Sequence, residues 1–360
     1  MRIGIDASRL QAGMSGIGRY VLNILAPLND ALPEAQFFLY TRSHFEFPLP
    51  SSRWVVRRDK HRVFSQLPTS YWIHYRLGML AHRDRLDVFW AANTLSPTGL
   101  GRLPYVTTVY DINHLLFPET MPVLTRSAHL RWLTTDILKA SRIVAISEGT
   151  SSRLYSRFGR SADAVALPAI PLQTPMPSLE EAIEQLRKLS VRRPYLLTVG
   201  NREPRKNLES AISAVAMLRS EGRLTGHQLV MVGSRGWGRD AGRSRMAWVN
   251  SVGYVDDTSL AALYALSDAF IFPSFYEGYG MPVGEALAFG CRVVATDLPE
   301  LREVGGTDAV YVEPTPAGIA RGLDVALAMP KPSPRRALHD WADAACVMAK
   351  MFRQVAMVPD

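Results

Sequence analysis

The chain has 360 residues, 41 Lys plus Arg against 33 Asp plus Glu, and a formal charge of +8. An apolar fraction of 47% with 21% charged residues excludes a disordered chain, and the length predicts two domains, not one core. No run approaches the roughly 18 apolar residues that would cross a bilayer. Cys291 and Cys346 are too few for a disulfide framework and fit a reducing cytosol. The opening MRIGIDASRL lacks the apolar stretch of a signal peptide.

Met1–Ile5 predicts a strand, followed by a loop over 11–18 and a helix over Arg19–Leu28, where Tyr20, Ile24 and Leu28 recur at helical spacing. Further strands are predicted at Phe37–Tyr40, Val88–Ala91, Val106–Tyr110 and Ile143–Ile146, with a helix over Val123–Ala140. Strands alternating with helices predict βαβ units and a parallel sheet. Prolines 168, 171, 175 and 177 then cluster ahead of a charged helical stretch, Leu179–Leu189. Such a segment resists sheet and helix alike and reads as a linker.

The alternation restarts with strands at Tyr195–Gly200, Gln228–Gly233, Val249–Tyr254, Ala269–Phe275 and Arg292–Thr296. Helices are predicted at Leu208–Arg219, Leu260–Leu266, Pro282–Phe289 and Pro314–Ala328. A last amphipathic helix, Pro334–Val355, repeats apolar residues every three or four positions. It suits packing on the nearer domain or a crossing back to the first. The expected division is residues 1–170, a linker 171–194, a second domain 195–333 and a terminal helix and tail 334–360.

Two stretches carry chemistry. In Phe275-Tyr-Glu-Gly-Tyr-Gly-Met-Pro-Val-Gly-Glu285 a strand runs into a Gly-punctuated turn, and Pro282 stands where a helix would start. Gly278 and Gly280 let backbone approach a ligand, and the N–H groups around Met281 would face an anion. Glu277 and Glu285 are unsuited to an anion but suited to accepting hydrogen bonds from sugar or ribose hydroxyls. In Val199-Gly-Asn-Arg-Glu-Pro-Arg-Lys-Asn207, at a strand's C-terminal end, Arg202 and Lys206 offer two positive charges to a diphosphate. Together these describe a nucleotide-sugar site.

With Val252-Gly-Tyr-Val255 and Leu263-Tyr-Ala-Leu-Ser-Asp268, these residues resemble the signature of family 4 glycosyltransferases, whose hallmark is the Glu-x7-Glu spacing of Glu277 and Glu285. The resemblance implies an α/β fold of the GT-B class, two facing Rossmann-like domains, and transfer with retention of configuration. It assigns Glu277 to the transferred sugar, Glu285 to the ribose, and the base to the neighbourhood of Gly253, Tyr254 and Val255. The spacing G-x-x-G-x-G at Gly13–Gly18 fails as a dinucleotide fingerprint. Gly16 and Gly18 instead resemble the family's Gly-rich loop facing the donor phosphates. Related enzymes carry His-Asp where this chain has Tyr110-Asp111. Asp111 is therefore a candidate contact with sugar or acceptor, and His114 a nearby imidazole. Ser147-Glu148 resembles the family's Ser-Glu step. No two Asp residues are separated by one position, so no metal and no other cofactor is expected in catalysis.

The opening motif looks most like bacterial O-antigen or exopolysaccharide mannosyltransferases, which points to GDP-mannose as donor and a saccharide or lipid-linked saccharide as acceptor. UDP- and dTDP-sugars stay open, as do an epimerase or phosphorylase of the same fold and a catalytically silent binding subunit. Residues 1–194 hold 24 basic and 15 acidic side chains, against 17 and 18 in 195–360. The excess includes Arg53, Arg57, Arg58, Lys60 and Arg62, followed by the aromatic run Tyr71–Tyr75. Basic groups beside aromatics suit an anionic membrane surface more than nucleic acid, for which no binding motif is present. A cytoplasmic enzyme, peripheral on the inner face of the membrane, is expected.

Overall fold

The computed structural model describes residues 1–11, 14, 16–118, 123–170, 175–234, 246–334 and 339–357, without the side chains of 124 and 125. The chain divides into a first unit, Met1–Ala169 with Asp340–Asp360, and a second, Ile170–His339.

In the first unit β1 (Arg2–Asp6), α1 (Gly16–Ala31), β2 (Gln36–Thr41) and β3 (Trp54–Arg58) come first. A helical run follows: α2 (Thr69–Trp72), a π-helical turn (Ile73–Leu77), α3 (Gly78–Ala81) and a 3-10 turn (His82–Asp84). Then come β4 (Val88–Ala91), β5 (Tyr105–Val109), α4 (Asn113–Leu116), α5 (Val123–Ala128), a second π-helical turn (His129–Leu133) and α6 (Thr134–Lys139). β6 (Arg142–Ala145), α7 (Glu148–Phe158) and β7 (Ala164–Val165) close the series. The strands form one parallel sheet in the order β3-β2-β1-β4-β5-β6-β7. Its central strands read as unbroken apolar runs because helices cover both faces; Val88, Phe89, Trp90 and Ala91 are all fully buried.

The second unit begins with α8 (Leu179–Lys188), β8 (Tyr195–Val199), α9 (Leu208–Ser220), β9 (Gln228–Val232) and β10 (Val249–Gly253). It continues through α10 (Asp257–Leu266), β11 (Ala269–Phe272), α11 (Met281–Ala288), β12 (Val293–Thr296), α12 (Pro299–Gly305), β13 (Ala309–Val312) and α13 (Pro316–Ala328). Its parallel sheet runs β10-β9-β8-β11-β12-β13. One face packs on Ala211, Val215, Ile319 and Leu323 from α9 and α13. In both sheets the strand order reverses beside the first strand, and open α/β sheets bind ligands outside the strand ends at such a point.

The terminal helix, α14 (Trp341–Ala356), belongs to the first unit. Trp341 meets Tyr20 of α1 edge-on at 5.4 Å, Phe352 reaches Trp90 at 6.0 Å, and the Arg353 guanidinium donates to the Ala31 carbonyl at 3.0 Å. Asp340 caps it by accepting from the Ala342 N–H at 3.2 Å. Of the longer helix predicted here, the first turn differs: residues 335–338, Leu338 among them, lie outside the described residues, and the helix starts at Trp341.

Other expectations shift in detail. The strand predicted over Ala269–Phe275 ends at Phe272 because Pro273 has no N–H to continue the ladder. The charged stretch expected to be helical after the prolines, Leu179–Leu189, forms α8, stabilised by a capping box between Ser178 and Glu181. The basic run at 53–62 holds an edge strand, β3, that sequence reading missed. Arg57 pairs with buried Asp84 at 2.6 Å, and Arg53 donates to the carbonyls of Leu32, Ala35 and Asn29. Arg58, Lys60 and Arg62 remain exposed. Among the described residues no helix is long and apolar enough to cross a membrane.

Candidate active site

In the second unit two loops leave adjacent strands at the reversal point. The loop after β8 passes through Gly200, Asn201, Arg202 and Glu203 into a 3-10 turn, Pro204–Lys206, that ends at Asn207 with φ 52°. Asn207 pins this loop from within: its side-chain amide donates to the carbonyls of Pro273 at 3.0 Å and Pro314 at 2.9 Å. The loop after β11 carries Ser274 to Gly280, and the Phe275 N–H donates to the Arg205 carbonyl at 2.9 Å.

These loops bring Lys206 and Glu277 together. The Lys206 Nζ donates to Glu277 Oε1 at 2.6 Å, while Arg205 Nη1 lies 3.0 Å from Oε2 and also donates to the Tyr276 carbonyl. Glu277 is only 7% exposed. Burial alone would push its carboxyl up, but Arg205 and Lys206 outweigh that and hold it at about 2. Lys206 is also lowered from its ordinary value: burial lowers it most, Glu277 raises it, and the like charge of Arg205 lowers it again. Two cations facing one carboxylate explain why the carboxylate is favoured more than the ammonium. Lys206 also sits 5.0 Å over the Phe272 ring, which a cation tolerates.

Arg205, which the sequence reading does not single out, completes this network. Arg202 is half-buried and lines a cavity of about 460 Å³ with Asn207 and Phe275. Gly280 starts α11 with φ 97°, and a Cβ there would fall 2.3 Å from Leu301 Cδ2, so only glycine fits. No side-chain hydrogen bond caps α11; Pro282 stands in its first turn, and the Val283 N–H donates to the Gly280 carbonyl at 2.8 Å. Glu285, on α11, accepts from the Tyr264 hydroxyl at 3.0 Å. Gly253 ends β10, and Tyr254 and Val255 follow it; Tyr254 is 64% exposed and Val255 is buried. The Gly253 carbonyl accepts from the Gly233 N–H at 2.8 Å, tying this segment to the end of β9.

The remaining candidates lie in the first unit. Gly16 has open space where a Cβ would be, whereas a Cβ on Gly18 would lie 2.6 Å from the Arg9 carbonyl oxygen. Gly13 lies outside the described residues. Asp111 Oδ1 accepts from the Asn113 N–H at 3.0 Å. Tyr110 is committed elsewhere: its hydroxyl donates to the Ala92 carbonyl at 2.9 Å, and its ring meets Tyr20 edge-on. His114 is buried, and that burial lowers its imidazole to about 3, so it stays neutral. Ser147 caps α7, accepting from the Thr150 N–H at 2.9 Å.

A carboxylate thus sits between two cations at the ends of two neighbouring parallel strands. Residues 193–328 match the family described as Glycosyl transferases group 1. The O-antigen chain mannosyltransferase B of Escherichia coli is 28% identical over 334 residues, which cover 87% of this chain and 87% of that protein. Among solved structures, WaaG, a glycosyltransferase involved in lipopolysaccharide biosynthesis, superposes with a TM-score of 0.66 at 15% identity, over 100% of this chain and 96% of that one. Anabaena Alr3699/HepE in complex with UDP and glucose gives 0.64 at 16% identity, over 99% and 97%. The architecture is that of the GT-B class, two Rossmann-like domains. The chain is a glycosyltransferase, and its match to the group 1 family falls within the second unit.

Proposed function

We propose that the enzyme moves mannose from GDP-mannose to a saccharide or lipid-linked saccharide in bacterial surface polysaccharide synthesis, with retention and without a metal. The observation that carries this reading is the Lys206–Glu277–Arg205 network at the ends of β8 and β11. Lys206 and Arg202 hold the donor diphosphate, with the start of α11 adding its dipole. As the glycosidic bond breaks, charge grows on the leaving phosphate, and these fixed groups stabilise it without reorganising. Glu277 accepts from hydroxyls of the transferred sugar, and Glu285, steadied by Tyr264, from the ribose. The segment Gly253–Val255 faces the base. Asp111 contacts the acceptor from the first unit. The acceptor hydroxyl attacks on the face the leaving group vacates, and a donor phosphate oxygen takes its proton.

The mannosyl assignment leans on the 28%-identical relative, and GDP on the same analogy. The reading keeps the enzyme in the cytoplasm, where Arg58, Lys60 and Arg62 would face an anionic membrane surface. A thermal-shift screen of GDP-mannose, UDP-glucose and dTDP-sugars tests the donor, since a ligand bound to the native state raises the melting temperature by mass action. GDP-mannose should give the largest rise. No rise with any nucleotide sugar would sink the reading, and loss of transfer on adding EDTA would remove metal independence.

A further inference from the structure

The first unit has a strand reversal of its own, between β1 and β4, and polar side chains gather at the ends of its strands. Arg9 follows β1. Its Nε donates to Asn93 Oδ1, just past β4, at 3.2 Å. The terminal N–H groups of Arg9 find no partner among the described residues. Gly18 lets α1 close against the Arg9 backbone, which fixes where the side chain starts. His129 opens a π-helical turn, a feature that concentrates at functional sites. Its ring meets His114 edge-on at 5.6 Å.

Buried polar atoms normally have partners. Here Asp6 Oδ2, Asn113 Oδ1 and His114 Nε2 have none among the described residues, although all three side chains are more than nine-tenths buried. The charges around His129 are mixed: burial lowers its imidazole most, Asp111 raises it and Arg9 lowers it. Arg9 and Arg42 lie in the field of Asp6, and Asp111 and Arg9 in that of His129, so both signs of charge meet here. A neutral ring with adjacent hydroxyls can donate to a carboxylate and accept from a guanidinium at once.

We propose that Arg9, oriented by Asn93, is a specificity-determining residue that grips hydroxyls of a neutral sugar ring, the acceptor, together with Asp111. The proposal rests on the glycosyl-transfer reading and adds to it a residue outside the donor-binding unit. Asn93 is a positioning residue that acts through Arg9.

The test is a titration of the full chain with methyl α-mannoside by saturation-transfer NMR. Wild type should bind it, and saturating GDP should not displace it. Arg9→Ala should weaken binding at least tenfold, Arg9→Lys less, because an ammonium lacks the fork, and Asn93→Ala severalfold. Mannose 6-phosphate should bind no more tightly than the glycoside. Absence of glycoside binding, displacement by GDP, tighter binding of the phosphate, or unchanged affinity in a folded Arg9→Ala would each overturn the assignment. Where Arg9→Ala melts early, Arg9→Lys and Asn93→Ala decide the question. Donor affinity, measured in parallel by calorimetry, should be unchanged in all three variants. Loss of donor binding by wild type would instead remove the glycosyl-transfer reading, while leaving glycoside binding readable.

Discussion

Lys206 and Glu277 stand 71 positions apart in the chain and meet through a 2.6 Å hydrogen bond because β8 and β11 are neighbours in the sheet. Removing either charge has unequal consequences. Glu277→Gln leaves Lys206 and Arg205 buried without their carboxylate, and the loss should reach about 3–5 kcal/mol. Lys206→Met leaves Arg205 still facing Glu277, so denaturant melts should show a smaller loss, roughly 1–3 kcal/mol. Both variants should lose transfer by roughly 100-fold or more in a donor-consumption assay. Near-wild-type turnover by folded Lys206→Met would contradict the diphosphate role.

The same carboxylate sets a pH dependence. Its folded pKa is about 2, below the ordinary 4.5, so its contribution is complete above about 4.5 and is lost as pH falls through about 2. Wild type should therefore lose stability between pH 5 and pH 2 more steeply than Glu277→Gln. Parallel melting curves for the two would rule out this linkage.

Gly233 sets the position of the loop after β8. Its φ is 138°, and a Cβ there would lie 2.1 Å from the Gly200 carbonyl oxygen and 3.1 Å from the Asn201 nitrogen. Gly233→Ala should cost roughly 2 kcal/mol or more and push the Arg202–Lys206 loop away from β9. Donor affinity, read by calorimetry, should fall with it; a stable variant with unchanged affinity would show the loop to be less tightly placed.

Tyr264 offers a gentler probe of Glu285. Tyr264→Phe keeps the ring stacked on Phe289 but removes the hydroxyl that Glu285 accepts from. Stability should change by about 1 kcal/mol. Donor affinity should drop severalfold, and more so in Glu285→Ala. Unchanged affinity in both would detach Glu285 from the ribose.

Much of this was legible in the chain. The alternation of apolar runs with helical spacings predicts ten of the thirteen described strands, because a parallel sheet buried on both faces leaves long β-branched and aromatic runs. β3, the two-residue β7 and β13 escape it, as do the helices α7 and α12. β3 was hidden because its second half, Arg57-Arg58, reads as a basic surface although Arg57 is tied to Asp84. The helical run Thr69–Asp84 was hidden by its aromatic and basic residues. Arg205 and Arg9 escaped for a different reason: each is defined by a partner, Glu277 or Asn93, more than 70 positions away. Residue spacing along the chain reports neighbours on one helix or strand, not which loops a sheet brings together.

The exposed cations Arg58, Lys60 and Arg62 make the membrane idea testable by vesicle flotation. Vesicles with anionic lipid should carry the protein at low salt, and replacing all three by Ala should abolish this. Wild type that stays at the bottom of the gradient would remove it.

Because α14 completes the first unit while residues 170–339 form the second, the second unit is an insertion in the first. During synthesis the second unit is finished before the first unit has α14. The first unit leaves the ribosome with the faces that Trp341 and Phe352 will cover still bare, and must wait for residues 341–356. Cutting after His339 would therefore spare the second unit and cripple the first, whereas recovering the first alone requires joining Ala169 directly to Asp340.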